Sequence, residues 1–258
     1  MYLSVVVVTR NDNYGLLQQE RLKIFLDSLP ENKNVQLVLV EWNPIDGKKT
    51  MKEILDEHGL KCNYKIITVS KSIHDEYNAT RPVIEYIGKN VGIHHADGEY
   101  VLLTNPDVKL PNELWTYKFS PNFFYRCART DVYTDVITDG KEFENSIKVH
   151  HGYNGERIFH NGSGDFTLLK TEVARKLKGY KETTVTYTHL DSEFLDRCYF
   201  KGNLGQLVLP FRLYHVDHER ILSTLNPSNI NHIQAGTIPE VEHMGLSHRK
   251  LEISTYLL

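Results

Sequence analysis

Four stretches of the sequence hold side chains that could do chemistry. The first is Asn105-Pro106-Asp107, which ends the apolar run YVLLT at 100–104. A carboxylate at the end of a buried strand suits a hard cation such as Mg2+ or Mn2+, bound by a few protein ligands and completed by phosphate oxygens. The same three residues are also good turn formers. The second is Asp191, which sits where a helix should begin. It could cap that helix or face a pocket as a general base. Glu193 and Arg197 beside it are spaced as a structural i,i+4 ion pair. The third is YHVDHER at 214–220, with His215 and His218. It lacks the H-E-x-x-H of zinc proteases. In an extended segment its two histidines point to opposite faces, so at most one should join Asp107 around a metal. The fourth is HNGSGDF at 160–166, where glycines flanking Ser163 would let the backbone approach a ligand, although an ordinary loop fits as well. Thirteen histidines make chance pairs common, and the pairs at 94–95 and 150–151 are taken as such.

The elements that must position these groups differ between the two halves. SVVVVT (4–9), VQLVLVEW (35–42), YKIITV (64–69) and YVLLT are short, β-branched apolar runs, the pattern of buried parallel strands. Between them, 16–29, 48–59 and 82–98 carry helical spacing, with Gly59 closing the second, Pro82 in the first turn of the third and Gly98 just past its end. Strand and helix in alternation predict an α/β fold: a mostly parallel twisted sheet with helices on both faces. Ligands of such sheets sit beyond the carboxyl ends of the strands. Three of these ends are polar: Thr9-Arg10-Asn11-Asp12, Glu41-Trp42-Asn43 and Asn105-Pro106-Asp107. Trp42 could stack on a ring or fill the core.

The second half predicts a smaller, antiparallel part. Strands are expected at FFYRC and DVYTDVI within 123–137, followed by a long polar loop or lid over 138–165. A strand and short helix follow at 165–180, then a helix at 191–202 with Phe194, Leu195 and Cys198 inward. One or two strands broken at Pro210 span 206–220. From 223 onward the pattern is that of a tail, packed on the domain or mobile.

The totals exclude several classes. The chain has 258 residues, 40% hydrophobic and 24% charged, with a formal net charge of −3. That is ample for a hydrophobic core, and without a long Lys/Arg run no nucleic-acid partner is expected. Cys62, Cys127 and Cys198 are few, odd in number and far apart, which fits free thiols in a reducing compartment. The opening apolar stretch is short for a signal peptide, and no run approaches the ~18 residues of a membrane span. A cytoplasmic location is expected. There is no P-loop and no G-x-G-x-x-G after the first strand.

Four segments together resemble the GT-A glycosyltransferases, near the large family 2 group and the galactosyltransferase-type domains. SVVVVTRND looks like their first strand and donor-nucleotide loop. KNVGIHHADGEYVLLTNPDV is similar to the helix and strand leading into the D-x-D motif. LDSEFLDRCYFKG resembles the helix carrying the catalytic base, and LYHVDHER the late histidine segment of the metal site. They occur in the family's order over roughly residues 1–220. The resemblance implies a GT-A domain over 1–222, with a nucleotide-binding half at 1–108 and an acceptor and metal half at 109–222. It implies metal-dependent, inverting transfer of a sugar from a nucleotide-diphosphate sugar to a glycan or other hydroxyl acceptor, with Mn2+ or Mg2+ as cofactor. Thr9, Arg10, Asn11, Glu41, Lys89, Asn90 and Asn105 would then bind the donor nucleotide. Asp107 with His215 or His218 would hold the metal, and Asp191 would be the base. An acceptor-binding role is open to Gly164 and Asp165. Two residues depart from the pattern: Asn105 replaces the first aspartate of D-x-D, and Leu190 replaces the glutamate before the base. An inactive nucleotide-sugar or glycan-binding relative of the same fold is the alternative. A sugar nucleotidyltransferase would need a Gly-rich loop after strand one, where TRNDNYG has a single glycine. A zinc hydrolase would need a zinc spacing that the histidines lack.

Overall fold

The four consecutive valines of the first strand are all buried, because each face of the sheet carries its own core. The computed structural model describes residues 1–183, 189–218 and 242–258. In chain order the first half runs β1 (Leu3–Thr9), α1 (Gln18–Asp27), β2 (Asn32–Trp42), α2 (Met51–His58), β3 (Cys62–Val69), α3 (Lys71–Asp75), α4 (Glu85–His95) and β4 (Tyr100–Leu103). The second half runs β5 (Val108–Lys109), β6 (Phe123–Val132), α5 (Asp135–Thr138), β7 (Ile147–His151), β8 (Thr167–Lys170), α6 (Thr171–Lys176), α7 (Leu190–Phe200), β9 (Gly205–Val216) and β10 (Glu252–Tyr256). These strands form one sheet in the order β10-β3-β2-β1-β4-β8-β6-β9-β5, with β7 paired to β6. The pairs of β1 with β2, β1 with β4, β2 with β3, and β6 with β9 are parallel, and the remaining pairs are antiparallel.

Alternation along β1 divides the valines between the two faces. Val6 and Val8 pack with Ile87 and Val91 of α4 and with Phe194, Leu195 and Cys198 of α7. Leu3, Val5 and Val7 pack with Phe25 and Leu26 of α1 and with Met51 and Leu55 of α2. Fully burying a valine contributes roughly 1.5–3 kcal/mol, so this one strand anchors both layers. Helix α4 comes unusually close to it. A Cβ on Gly88 would lie 2.7 Å from Val8 Cγ1, and one on Gly92 would lie 2.2 Å from Val6 Cγ1. Two glycines one turn apart therefore let the helix sit directly on the strand. Helix α2 begins in a capping box, Thr50 with Glu53, and ends on Gly59 at φ 69°.

The structure corrects several expected boundaries. Pro82 precedes α4, which starts at Glu85 and stops at Ala96, and Gly98 instead abuts the backbone of β1. The two strands expected in 123–137 are one strand, β6, followed by the short helix α5. The expected loop at 138–165 contains β7, an exposed strand that among the described residues pairs only with β6. Pro210 does not break β9. It is exposed, and the register of β9 against β6 shifts across this segment, so the missing N–H is absorbed at an irregularity. Within 223–258, residues 223–241 lie outside the described residues, and Glu252–Tyr256 pair antiparallel with β3. No described helix is long and apolar enough to cross a membrane.

Candidate active site

Asp107 follows β4 by four residues and lies just before β5, beside the end of β9. Register fixes what surrounds it. Val108 of β5 pairs with His215 of β9, and His215 pairs with Asp131 of β6. Three adjacent strands thus place Val108, His215 and Asp131 in one row, with Asp107 one residue before it. His215 Nε2 is 3.7 Å from Asp107 Oδ2, and His215 Nδ1 is 3.1 Å from Asp131 Oδ1. His218 Nε2 lies 3.1 Å from the same Asp107 oxygen. The expectation that only one histidine could reach Asp107 is corrected here. Strand β9 ends at Val216, whose N–H donates to Asp107 O, so His218 is past the pleat and its ring turns back.

Ligand atoms of Asp107, His215 and His218 all fall within 4.8 Å of one another. Asp107 Oδ1 is buried and has no hydrogen-bond partner among the described residues. One carboxylate and two imidazoles, with a buried oxygen unspent, fit a divalent cation that keeps open positions for oxygen ligands. Burial alone would raise the Asp107 carboxyl, but hydrogen bonds from His215 and His218 outweigh it and hold it well below the usual range. Burial would likewise lower His215, yet Asp107 and Asp131 raise it to about 10. Asp131 holds the Nδ1 side of the ring and leaves Nε2 toward Asp107, the arrangement that orients a metal-binding histidine.

Asp191 lies in the first turn of α7, half-buried. The N-cap residue, His189, makes no side-chain capping bond. The Asp191 carboxylate instead accepts from Ser163 Oγ at 2.6 Å through Oδ2. A Cβ placed on Gly164 would sit 3.3 Å from Asp191 Oδ2 and 3.8 Å from Asn105 Nδ2. Asp191 therefore stands on the same wall as the residue two before Asp107, with only the bare backbone of Gly164 between. The neighbouring residues are tied in tightly. Lys89, fully buried, donates to Asn105 Oδ1 at 2.9 Å and to Gly164 O at 3.0 Å. Asn105 Nδ2 donates to Asp165 Oδ1 at 2.9 Å. An aspartate at 105 would have no proton to give Asp165, so the amide follows from this contact.

The other residues singled out from the sequence are more dispersed. Thr9 Oγ1 and the Arg10 carbonyl accept from Gln18 Nε2, and the buried Arg10 Nε has no hydrogen-bond partner among the described residues. Asn11 donates to Lys49 O and accepts from Gln19. Glu41 is buried and accepts the Met51 N–H at the start of α2. Asn90 is also buried, donating to Tyr180 O and Glu182 and accepting the Tyr180 N–H. Trp42 is a core residue that donates to His74 Nδ1. Glu193 and Arg197 form the buried ion pair their spacing suggests.

Several residues of the site escape sequence reasoning. Arg21 of α1 is almost wholly buried; it reaches Asp107 Oδ2 at 3.4 Å and donates to the carbonyls of Tyr14 and Leu16. His151, of a pair taken as chance, lies 2.9 Å from Asp131 Oδ2. Arg129 bridges Asp131 and Asp165. The usable signal for Asp131 and Arg129 was a charge pair inside an otherwise strand-like run. Beside His218, a pocket of about 530 Å3 is lined by Asn13, Gly15, Leu16, Leu17, Glu20 and Thr134.

No family model and no curated protein matches the sequence. Solved structures do match in fold. Staphylococcus aureus TarS 1-349 in complex with UDP-GlcNAc is 17% identical, with a TM-score of 0.56 over 85% of this chain and 60% of that one. GalNAc-T7 with UDP, GalNAc and Mn2+ is 11% identical, with a TM-score of 0.58 over 89% of this chain and 46% of that one. The chain thus spans about 60% of the TarS fragment and less than half of GalNAc-T7. Both neighbours have the GT-A fold, and the chain described here shares that fold.

Proposed function

We propose that the chain transfers a sugar from a nucleotide-diphosphate sugar to an acceptor hydroxyl, with inversion at the anomeric carbon. The observation that carries this is the shared wall: a half-buried carboxylate, Asp191, beside the strand end that presents Asp107 to two histidines. Asp107, His215 and His218 would hold Mn2+ or Mg2+, which when bound supplies positive charge for a diphosphate leaving group. Asp191 would accept the proton of the attacking hydroxyl, its orientation fixed by Ser163. One base opposite the leaving group fits a single in-line displacement. Asn105, with Lys89 and Asp165 engaged at its two ends, would shape the donor side of the wall rather than ligate the cation. Thr9, Arg10 and Asn11 would line the approach of the nucleotide, and Gly164 and Asp165 that of the acceptor. Glu41 and Asn90, with their polar atoms spent inside the fold, would support these loops from beneath.

A nucleotide-sugar or glycan-binding role without catalysis is the second reading, favoured by Asn105 and Leu190, the latter a core residue. Two measurements separate the readings. A thermal-shift screen of nucleotide diphosphates and their sugars, with and without Mn2+, should give a metal-dependent rise in Tm for one nucleotide. That donor should then be hydrolysed or transferred. Binding without turnover favours the second reading, and no stabilisation by any nucleotide or nucleotide sugar refutes the transferase and leaves only glycan binding.

A further inference from the structure

We propose that Arg129 is the positioning residue that joins the two halves of the site, fixing the metal-holding histidine and the base-side loop with one guanidinium. The proposal rests on the metal assignment above and extends it to a residue that touches neither metal nor substrate. The Arg129 side chain is 13% exposed. On one side its Nε lies 2.9 Å from Asp131 Oδ1, and Nη2 donates to Asp131 Oδ2 at 3.2 Å. On the other side Nη1 donates to Asp165 Oδ2.

Each carboxylate passes the contact on. Asp131 sits opposite His215 in register and meets its Nδ1 at 3.1 Å, so its position sets where Nε2 points. Asp165 receives Asn105 Nδ2, and its backbone carbonyl accepts Thr104 Oγ1 at 2.6 Å. Asp165 directly follows Gly164, the residue against Asp191. The chain of contacts therefore runs His215, Asp131, Arg129, Asp165, Asn105, with Gly164 and Asp191 on the same wall. A planar fork can serve two carboxylates at once, whereas a lysine ammonium on a flexible stem cannot hold both in fixed geometry. Strand β6 supports the same loop a second time through Arg126, which donates to the carbonyls of Phe159 and Asn161.

Positioning and plain electrostatics predict opposite signs. Removing a cation near the cluster should, by relief of Coulomb repulsion alone, tighten Mn2+ binding. Loss of a residue that orients a metal ligand should weaken it, by about 10-fold or more. The test is Mn2+ binding to the full chain by electron paramagnetic resonance, comparing wild type with Arg129→Gln and Arg129→Lys. Hydrogen exchange over residues 160–166 reports the other half. The lysine variant keeps the charge and guards against a folding defect in the glutamine variant, and cooperative melting establishes that each is folded. The expected result is weakening of about 10-fold in both variants, with faster exchange at 160–166. Equal or tighter Mn2+ binding by a folded variant would overturn the proposal, as would unchanged exchange at 160–166. Asp107→Asn should abolish Mn2+ binding, leaving the free-ion signal unattenuated. If wild type itself binds no Mn2+, the metal assignment falls and the bridge with it, an outcome distinct from wild-type binding that the Arg129 variants retain.

Discussion

Gly164→Ala should separate catalysis from folding. The added Cβ would lie 3.3 Å from Asp191 Oδ2, tighter than ordinary contact, and 3.8 Å from Asn105 Nδ2, which is unstrained. The carboxylate must therefore yield by a few tenths of an ångström. It cannot do so freely, because Oδ2 also accepts from the buried Ser163 at 2.6 Å. A misplacement of about 1 Å costs roughly 100-fold in rate, so a shift of about a third of that should cost about 3- to 10-fold. The backbone gives no opposing signal. Gly164 does not have positive φ, and a compatible Gly→Ala change stabilises by about 0.4–1 kcal/mol through the unfolded state. The variant should melt at or above the wild-type temperature and bind Mn2+ unchanged. Its turnover, followed as release of nucleotide diphosphate at saturating donor and metal, should still fall. Full turnover in this variant would refute the placement of the base on this wall.

The remaining predictions concern the base, the buried histidine and the helix contact. Asp191→Asn should lower turnover by about 100-fold or more, the range for a positioned base, with nucleotide affinity intact by calorimetry; wild-type turnover would remove Asp191 from the mechanism. His215 has a folded-state pKa raised from 6.5 to about 10. Its protonated form therefore contributes stability that is complete below pH 6.5 and lost as pH rises through about 10. The Tm in a chelator should fall across that window, and Mn2+, which needs the neutral ring, should bind more tightly across the same window; a flat Tm with pH-independent binding would count against this. Gly92→Ala places a methyl 2.2 Å from Val6 Cγ1, so α4 must lift from β1. Overpacking of this kind costs about 1–3 kcal/mol, readable as a lower urea midpoint, and an unmoved midpoint would contradict the packing.

The first half of the fold was legible because a strand buried on both faces writes itself as an unbroken apolar run. SVVVVT is such a run, and its valines do feed two cores. The second half was harder because its strands are half-buried and carry charges that register alone explains. Strand β6 was divided in two at Ala128-Arg129-Thr130, the polar stretch that faces β7 and the site. Strand β7 was missed although Ile147, Lys148 and Val149 alternate; all three are exposed, so the alternation marks no core. Asp107, Asp191, His215 and His218 could be named from residue type and chain order. Arg21 could not, and Arg129 and Asp131 showed only as a charge pair in a strand-like run, since each matters through a partner brought close by the fold: 86 residues away for Arg21 to Asp107, 84 for Asp131 to His215 and 36 for Arg129 to Asp165.

The pairing of β10 with β3 has a practical consequence for fragments of this chain. Strand β10 covers the hydrogen-bonding rim of an eight-residue strand, Cys62–Val69, while the opposite rim ends in the two-residue β5. A fragment ending near residue 222 would keep every residue assigned to the site and still leave that long rim bare. Its unsatisfied amides and carbonyls form a seam to which any extended peptide can zip. Such a fragment should self-associate during purification for reasons unrelated to its chemistry, and should become monodisperse when residues 242–258 are retained.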